Sequence, residues 1–190
     1  MAASKGKRSS KRVSAGAGPN LKGSLGLSAR TCADSRTNMV EPLLPNDVNI
    51  YGAGLGGRVM HWIDMCAAIS AMRFSSREMV TASVDELHFL GPIHLGEMAV
   101  LRAEVTQAWH SSVEVEVHVE AEDMLSGARR PINAAFLTFV AVDEAGKPTQ
   151  IPPLWLKTPA EEKRAREADQ RRARRLESRG RIRRASGMAE

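Results

Sequence analysis

Several features that would identify other classes of protein are scarce in this sequence. It has two cysteines, Cys32 and Cys66, among 190 residues, too few for the disulfide framework of a small secreted domain. No apolar run approaches the roughly 18–20 residues of a membrane-spanning helix. The five histidines show no metal-ligand spacing with one another or with the cysteines. The sequence therefore predicts a reducing compartment, no membrane span, no metal site and no cofactor.

Charge is distributed unevenly along the chain. Residues 1–36 carry a net charge of about +7 and residues 157–190 about +6, whereas residues 37–156 carry about −8. A nucleic-acid-binding domain needs a basic surface. Because the central part has the opposite sign, nucleic-acid binding is not expected beyond a weak, non-specific and salt-sensitive contribution of the tails.

The two ends are expected to differ from the centre. Residues 1–36 lack periodicity and large apolar side chains, so they are predicted to be a disordered basic arm. This arm is rich in serine and poor in acids, so mitochondrial import is the alternative to the expected cytoplasmic location. Residues 157–190 have high helix propensity but almost no apolar stripe. They are predicted to be a basic helix or tail that projects from the domain or frays.

The central part predicts an α+β fold. Residues 39–44 form a short apolar run that Pro45 ends, a first strand, and residues 58–74 are apolar on nearly every helical face, which favours a buried helix. Four strands are predicted after it, at 80–90, 97–109, 113–120 and 130–143. The third reads VEVEVHVE, with one apolar face and one acidic face. One buried helix and consecutive strands joined by short turns favour an antiparallel sheet curled around the helix.

Candidate site residues lie in the run NIYGAGLGGRVMHWID, residues 49–64. Gly56 and Gly57 stand at the predicted helix start, where unpaired N–H groups and the helix dipole could polarise a carbonyl oxygen. Asp64 follows Gly57 by two turns, and an acid on a buried helix is costly unless it has a purpose. It could activate water or attack a carbonyl. The Asn49 amide could hold that water or the acid.

Each of these residues also has a purely structural interpretation. Asp64 could pair with Arg58 or Arg73 on the helix surface. Asn49 could be a turn residue, which is its commonest role in loops. His61, one turn before Asp64, is better explained as a packing or interface residue than as a helper of the acid.

The order of these blocks resembles the hotdog-fold acyl-CoA thioesterases. The resemblance starts with Asn49, the glycine pair and the apolar helix with its aspartate, and continues through VTASVD at residues 80–85. It extends through the two serines before VEVEV to FVAVD and GKP near residue 148. It covers about residues 40–155. The resemblance implies a hotdog domain over 37–156, with a long central helix wrapped by a five- or six-stranded antiparallel sheet.

The resemblance also implies an activity, hydrolysis of acyl-CoA to free fatty acid and CoA. Asp64 would be the general base or the nucleophile, and Asn49 its partner across the interface of a homodimer or trimer of dimers. Gly56 or Gly57 would supply the amide for the thioester oxygen.

Four further residues are implied to bind substrate. Thr81 and Ala82 would lie beside the pantetheine arm, and Ser111 and Ser112 near the nucleotide end. Apart from the resemblance, the charge of the basic C-terminal segment favours a flexible arm with weak polyanion affinity, and the second possibility is that it screens the acidic domain or meets the phosphates of CoA.

Two other functions remain open at this point. One is a non-catalytic acyl-CoA-binding regulator whose basic arms contact nucleic acid, although no helix-turn-helix pattern is visible. The other is a hotdog dehydratase, which needs a histidine paired with an acid. His61 is the only nearby histidine and is poorly placed for that role.

Overall fold

A five-stranded antiparallel sheet packs one long helix against one face and a second helix against the other. The computed structural model describes residues 27–185, apart from the side chains of Glu86 and Arg183. The bounds of the helices and strands, in chain order, are β1 Arg30–Thr31, β2 Thr37–Pro42, α1 Gly56–Ser75, β3 Glu78–Phe89, β4 Glu97–Ala108, β5 Ser112–Asp123, β6 Arg129–Val142, β7 Leu154–Trp155 and α2 Pro159–Ala185. The sheet order is β2-β4-β5-β6-β3, and β1 pairs with β7 in parallel. The predicted α+β class and antiparallel sheet are confirmed.

Helix α1 fills the inner face of the sheet. Its buried side chains include Trp62, Ile63, Cys66 and Phe74. Because apolar residues cover most of its circumference, the helix is stable only when other elements surround it. It contacts strands β2 to β6. It ends where Ser76 adopts a left-handed conformation and donates its N–H to the Met72 carbonyl at 2.8 Å.

Strand β5 shows the predicted alternation. Val113, Val115 and Val117 are fully buried in the core with α1. Glu114 and Glu116 point to the opposite face, as residues of alternate position must in a strand. This outer face is not open to solvent, however, because Glu114 is 0% exposed.

Helix α2 covers that outer face, and the prediction of a projecting or frayed C-terminal helix is wrong for the described residues. Ala165 and Ala168 are buried. Arg164 contacts the carboxylates of Glu104 and Glu116, at 2.9 and 3.4 Å. A helix without an apolar stripe can therefore still be docked, because its small residues allow close approach and its arginines meet an acidic sheet face. Residues 186–190 lie outside the described part of the chain.

The prediction of disorder up to residue 36 is also wrong for its last part. Strand β1 is followed by a short 3₁₀ helix, Cys32–Ser35, and Thr31, Cys32 and Ser35 are buried. The Ser35 hydroxyl accepts a hydrogen bond from the Val105 N–H at 2.8 Å. Polar contacts hold this segment, so its sequence has no apolar pattern to reveal it. The remainder of the predicted arm, residues 1–26, lies outside the described residues.

Candidate active site

Asp64 lies on α1 and is tied to the edge strand of the sheet. Its Oδ1 accepts a hydrogen bond of 2.8 Å from the Thr81 hydroxyl on β3. The carboxylate remains partly exposed. Neither arginine considered as an ion-pair partner is used in that way: Arg58 pairs with Asp47 at 2.7 Å, and Arg73 donates to the Arg36 carbonyl at 2.7 Å. Asp64 is thus an oriented carboxylate without a cationic partner among the described residues.

Strand β3 has an irregularity directly after Thr81. Thr81 pairs with Phe139 and Ser83 pairs with Thr138, so Ala82 is an extra residue in β3. Such a bulge changes which side of the sheet the following side chains face. Thr81 accordingly faces Asp64 on the inner side, while Ala82 and Ser83 line a cleft on the outer side.

The start of α1 presents free hydrogen-bond donors, as predicted. The Leu55 N–H donates to the Asp47 carbonyl at 2.8 Å, and the Arg58 N–H donates to the Leu55 carbonyl at 2.9 Å. The N–H groups of Gly56 and Gly57 have no acceptor among residues 27–185, and no side chain caps this end. Two exposed donors therefore lie at the positive end of the helix dipole.

The loop before α1 explains part of the glycine pattern. Gly52 has φ of +75°, a conformation that favours glycine. A Cβ at Gly54 would lie 3.2 Å from the Leu43 side chain. At Gly56 a Cβ would meet only the Phe89 ring, at 3.6 Å, and at Gly57 nothing within 4 Å. The loop therefore requires glycine at Gly52 and Gly54. At Gly56 and Gly57, no contact among the described residues of one chain excludes a larger side chain.

Asn49 organises this loop. Its Oδ1 accepts hydrogen bonds from the N–H groups of Tyr51 and Ala53, at 2.9 and 3.2 Å. Its backbone N–H also donates to the Ala53 carbonyl at 2.7 Å. The expected turn role is therefore present. Within one chain, no contact joins Asn49 to Asp64, and the side-chain NH₂ of Asn49 donates to no described residue.

Of the two predicted serines, Ser111 lies in the turn between β4 and β5, and Ser112 is the first residue of β5. The carbonyl of Ser112 accepts from the Trp109 N–H and that of Ser111 from the Ala141 N–H, both at 2.8 Å. Ser112 lines the same outer cleft as Ala82, a space of about 820 Å³. Ser111 is not among the lining residues. The structure thus brings Ala82 and Ser112 together, on the opposite side of the sheet from Asp64.

Sequence reasoning did not locate the arginines that form the other wall of this cleft. They are Arg171, Arg172, Arg174, Arg175 and Arg179 of α2. Their separations of three and four residues place several of them on one side of a helix. This spacing is the feature of the sequence from which a basic helix face could have been predicted. The sequence does not show which strand this side of α2 packs against.

The described residues offer no metal site and no reactive thiol. Within residues 27–185, no three His, Cys, Asp or Glu side chains are grouped closely enough to hold a metal ion. Burial raises the pKa of Cys32 and of Cys66 to about 11. Thiols that stay protonated are poor nucleophiles, so Asp64 is the better candidate for the reaction. Neither described helix is long and apolar enough to cross a membrane.

Comparison with known proteins identifies the family. Residues 51–128 match the model of the Thioesterase superfamily. A Bacillus subtilis protein named as an uncharacterized acyl-CoA thioester hydrolase, YkhA, is 41% identical over 123 residues, which are 65% of this chain and 72% of that protein. The chain belongs to the hotdog-fold acyl-CoA thioesterase family. The chain spans only 22% to 37% of the length of the mammalian relatives that it matches.

Solved structures agree with this assignment and confirm the hotdog fold. An acyl-CoA hydrolase from Bacillus cereus superimposes on this chain with a TM-score of 0.79 at 29% identity, covering 86% of this chain and 99% of that one. A Staphylococcus aureus acyl-CoA hydrolase, solved with butyryl-coenzyme A and coenzyme A, has a TM-score of 0.74 at 33% identity, with 83% and 99% covered.

Further matched structures are informative about residues and assembly. Three are variants of the S. aureus enzyme in which an aspartate, a threonine or an asparagine is replaced by alanine. Two others are described as hexameric thioesterases, one of them from Yersinia pestis.

Proposed function

We propose that this protein hydrolyses acyl-CoA thioesters with Asp64 as general base or nucleophile. The observation that supports this most strongly is the 2.8 Å hydrogen bond from Thr81, which fixes a partly exposed carboxylate that no cation among the described residues neutralises. A carboxylate held in this way is ready either to take a proton from water or to attack a carbonyl carbon. The non-catalytic alternative would need no oriented acid at this position.

The S. aureus variants add support through their spacing. In that enzyme, the altered asparagine precedes the altered aspartate by fifteen residues, and the altered threonine follows the aspartate by seventeen. Asn49, Asp64 and Thr81 have the same two separations. We therefore assign Asn49 and Asp64 to the catalytic site and Thr81 to the positioning of Asp64.

The distance between Asp64 and the free helix donors favours a site shared by two protomers. Seven residues separate Gly57 from Asp64, so at 1.5 Å per residue the two lie about 10 Å apart along the helix. A reacting carbonyl needs the attacking atom about 3–3.5 Å from its carbon and a donor roughly 3 Å from its oxygen. A thioester that Asp64 attacks directly spans less than this separation, which favours a shared site, whereas a water held between Asp64 and the carbon would let one chain meet both requirements.

A pair of protomers can satisfy this geometry. Asn49 lies in the loop before α1 and the donors of Gly56 and Gly57 at its N-terminal end, whereas Asp64 lies two turns further on, hydrogen-bonded to Thr81 of β3. We assign the first group to one protomer and the second group to its partner. The side-chain NH₂ of Asn49, which is unused within the chain, is then available to the substrate, the water or Asp64 of the other copy.

The reaction can proceed in two ways from this arrangement. In the first, Asp64 takes a proton from water while the water oxygen attacks the thioester carbon, and the amides bind the oxyanion. The C–S bond then breaks, and the proton passes to the departing CoA thiolate. In the second, Asp64 attacks the carbon and releases the thiolate, which leaves a mixed anhydride that water hydrolyses. Both give a free acid and CoA.

Complementation between two inactive variants tests the shared site. Asn49→Ala and Asp64→Asn proteins are unfolded separately and as a mixture, refolded and assayed for thiol release from an acyl-CoA. In a mixed dimer of two-fold symmetry, one site would have both residues intact, so random mixing should restore about a quarter of wild-type activity. If both residues act within one chain, every site lacks one of them. A mixture no more active than its components would then refute the arrangement.

The free edge of the sheet at β3 indicates how two copies could assemble. Strand β3 has only β6 as a neighbour in the described sheet and leaves its other edge open. An open edge is a template for pairing with another chain, so we propose a homodimer joined at β3, with a trimer of such dimers as the larger assembly.

Several relatives are named cytosolic, and a cytoplasmic location is proposed on that basis.

A further inference from the structure

The outer cleft, between the second half of α2 and strands β3 and β6, is strongly basic. It has five arginines in its lining, which are Arg171, Arg172, Arg174, Arg175 and Arg179. Among the described side chains that line it, Asp85 is the only acidic one. Ser83, Ser112 and Thr138 belong to the opposite wall. A concave space of this composition is suited to an anion.

The arginines divide into those that hold the helix and those that remain available. Arg171 pairs with Glu114 at 2.7 Å, and Arg175 pairs with Asp85 at 2.6 Å. Arg172 lies over the Trp109 ring, 4.5 Å from its centroid. Arg174 and Arg179 form no ion pair with any side chain that the structure describes. The paired arginines fix α2 on the sheet, and Arg172, Arg174 and Arg179 have no carboxylate partner among the described side chains.

The cleft is also close to the proposed reaction site along the chain. Thr81 contacts Asp64 on the inner side of the sheet, and the next residues, Ala82 and Ser83, line the cleft on the outer side. Since β3 is the edge strand, no further described strand separates the two sides. In the proposed dimer this edge meets the partner, so an extended ligand can reach both sides only by passing between the two copies, with its reacting group near Asp64 and its other end in the cleft.

We propose that this cleft binds the phosphate groups of the CoA nucleotide during hydrolysis. The proposal rests on the proposed acyl-CoA hydrolysis and names the part of the substrate that the arginines recognise. The pantetheine arm separates the thioester of an acyl-CoA from its phosphates, and this matches a reactive site and an anion site on two sides of one strand. Guanidinium groups bind phosphate through two parallel hydrogen bonds.

Two substrates that differ only in the nucleotide test this proposal. The double variant Arg174→Gln/Arg179→Gln is compared with the wild type on an acyl-CoA and on the matching acyl-N-acetylcysteamine thioester, which has no phosphates. For acyl-CoA, kcat/KM should fall about 10- to 100-fold, as expected for lost hydrogen bonds to charged groups. The loss should appear in KM while kcat stays within about twofold. For the truncated thioester, kcat/KM should not change.

The same helix offers a control with the same loss of charge. Arg166 and Arg181 lie outside the cleft and pair with Glu162 and Glu177 of α2. The double variant Arg166→Gln/Arg181→Gln should keep kcat/KM for both substrates within about twofold of the wild type. Equal losses in the two double variants would mean that only the general charge of the helix matters, and this would overturn the proposal.

Other results of these assays distinguish an error in the cleft assignment from an error in the proposed hydrolase function. Unchanged kcat/KM for acyl-CoA in the Arg174/Arg179 double variant overturns the cleft assignment but not the hydrolase function. A wild-type enzyme that hydrolyses neither thioester refutes the proposed function itself. Adenosine 3′,5′-bisphosphate should inhibit the wild type competitively against acyl-CoA, and weakly in the double variant. Binding in the cleft without competition would instead show a separate nucleotide site and overturn the assignment to the substrate.

Discussion

Arg171 extends from α2 and donates two hydrogen bonds, of 2.7 and 3.1 Å, to the buried carboxylate of Glu114 on β5. Glu114 is 0% exposed and also accepts a hydrogen bond from the Thr106 hydroxyl at 2.8 Å. The guanidinium lies 3.7 Å from the centroid of the Phe136 ring. A charge in such a place is tolerated only when it is paired. This contact, together with the ion pairs of Arg164 and Arg175, joins the basic helix to the acidic face of the sheet.

Removing Arg171 should destabilise the protein severely. Arg171→Leu leaves the Glu114 carboxylate buried with only its Thr106 hydrogen bond, and breaking a buried ion pair costs about 3–5 kcal/mol. The double variant Glu114→Gln/Arg171→Leu should lose less, because no charge is left unpaired. The measurement is the free energy of unfolding from urea titrations.

The control for this prediction is Arg174→Leu on the exposed side of the same helix. A surface substitution of this kind changes the free energy of unfolding by about 0.5 kcal/mol or less. If Arg171→Leu and Arg174→Leu had equally small effects, α2 would not depend on the buried pair.

Replacing Asp64 should abolish the reaction without disturbing the fold. Asp64→Asn keeps the size of the side chain and an oxygen that can accept the Thr81 hydrogen bond, but it removes the base or nucleophile. Turnover should fall about 100- to 10,000-fold, the usual contribution of a positioned acid or base. Thiol release measures the activity, and size-exclusion chromatography should show an unchanged oligomer. Activity within tenfold of the wild type would rule out the assigned role.

Thr81 should act through the orientation of Asp64. Thr81→Val keeps the shape of the side chain but removes the donor, and kcat should fall about tenfold or more with little change in KM. Thr81→Ser restores the hydroxyl, so its kcat should return to within a few-fold of the wild type. A purely structural role for Thr81 predicts the reverse, with the serine variant no better than valine.

His118 and Glu116 should make the stability of the sheet depend on pH. The hydrogen bond from His118 to Glu116 raises the pKa of His118 above its ordinary value, although burial lowers it. Burial raises the pKa of Glu116, but the hydrogen bond and charge of His118, together with Arg164, outweigh this and bring the pKa below its ordinary value.

These two pKa shifts determine how the free energy of unfolding changes with pH. The folded protein binds the His118 proton more tightly than the unfolded chain, so this contribution is complete below about pH 6.5 and is lost as the pH rises through the folded pKa. The Glu116 contribution is present above about pH 4.5 and is lost at lower pH. Urea unfolding should show that wild type exceeds His118→Gln in stability near pH 5.5 but not at pH 8.5. A difference independent of pH would contradict this account.

The sequence predicted those features that arise from local patterns. The continuous apolar surface of α1 predicted a buried helix, and the alternation in β5 predicted an amphipathic strand, because both signals repeat within a few residues. The free donors at the start of α1 were also predicted from local sequence. Leu55, which precedes the glycine pair, has no side-chain group that could accept hydrogen bonds from their N–H groups. Asn49 and Asp64 were predicted as site residues from residue type and from resemblance to a family, and their roles stay a prediction.

The errors concern contacts between distant segments. The last residues of the predicted arm are ordered because β1 pairs with β7 at Leu154 and Trp155, far along the chain. Similarly, α2 has no apolar stripe, and only the acidic outer face of β5 explains its docking. Neither segment contains, in its own residues, the surface that stabilises it.

By itself, the sequence determined the helix, the strands and the chemical groups available for a reaction. The tertiary structure alone decided that Thr81 donates to Asp64 while the residues after it face the arginines of α2. The reason is physical: the irregularity in β3 and its register against β6 set the side of the sheet that each residue faces, and register depends on pairing between strands rather than on the order of residues within one.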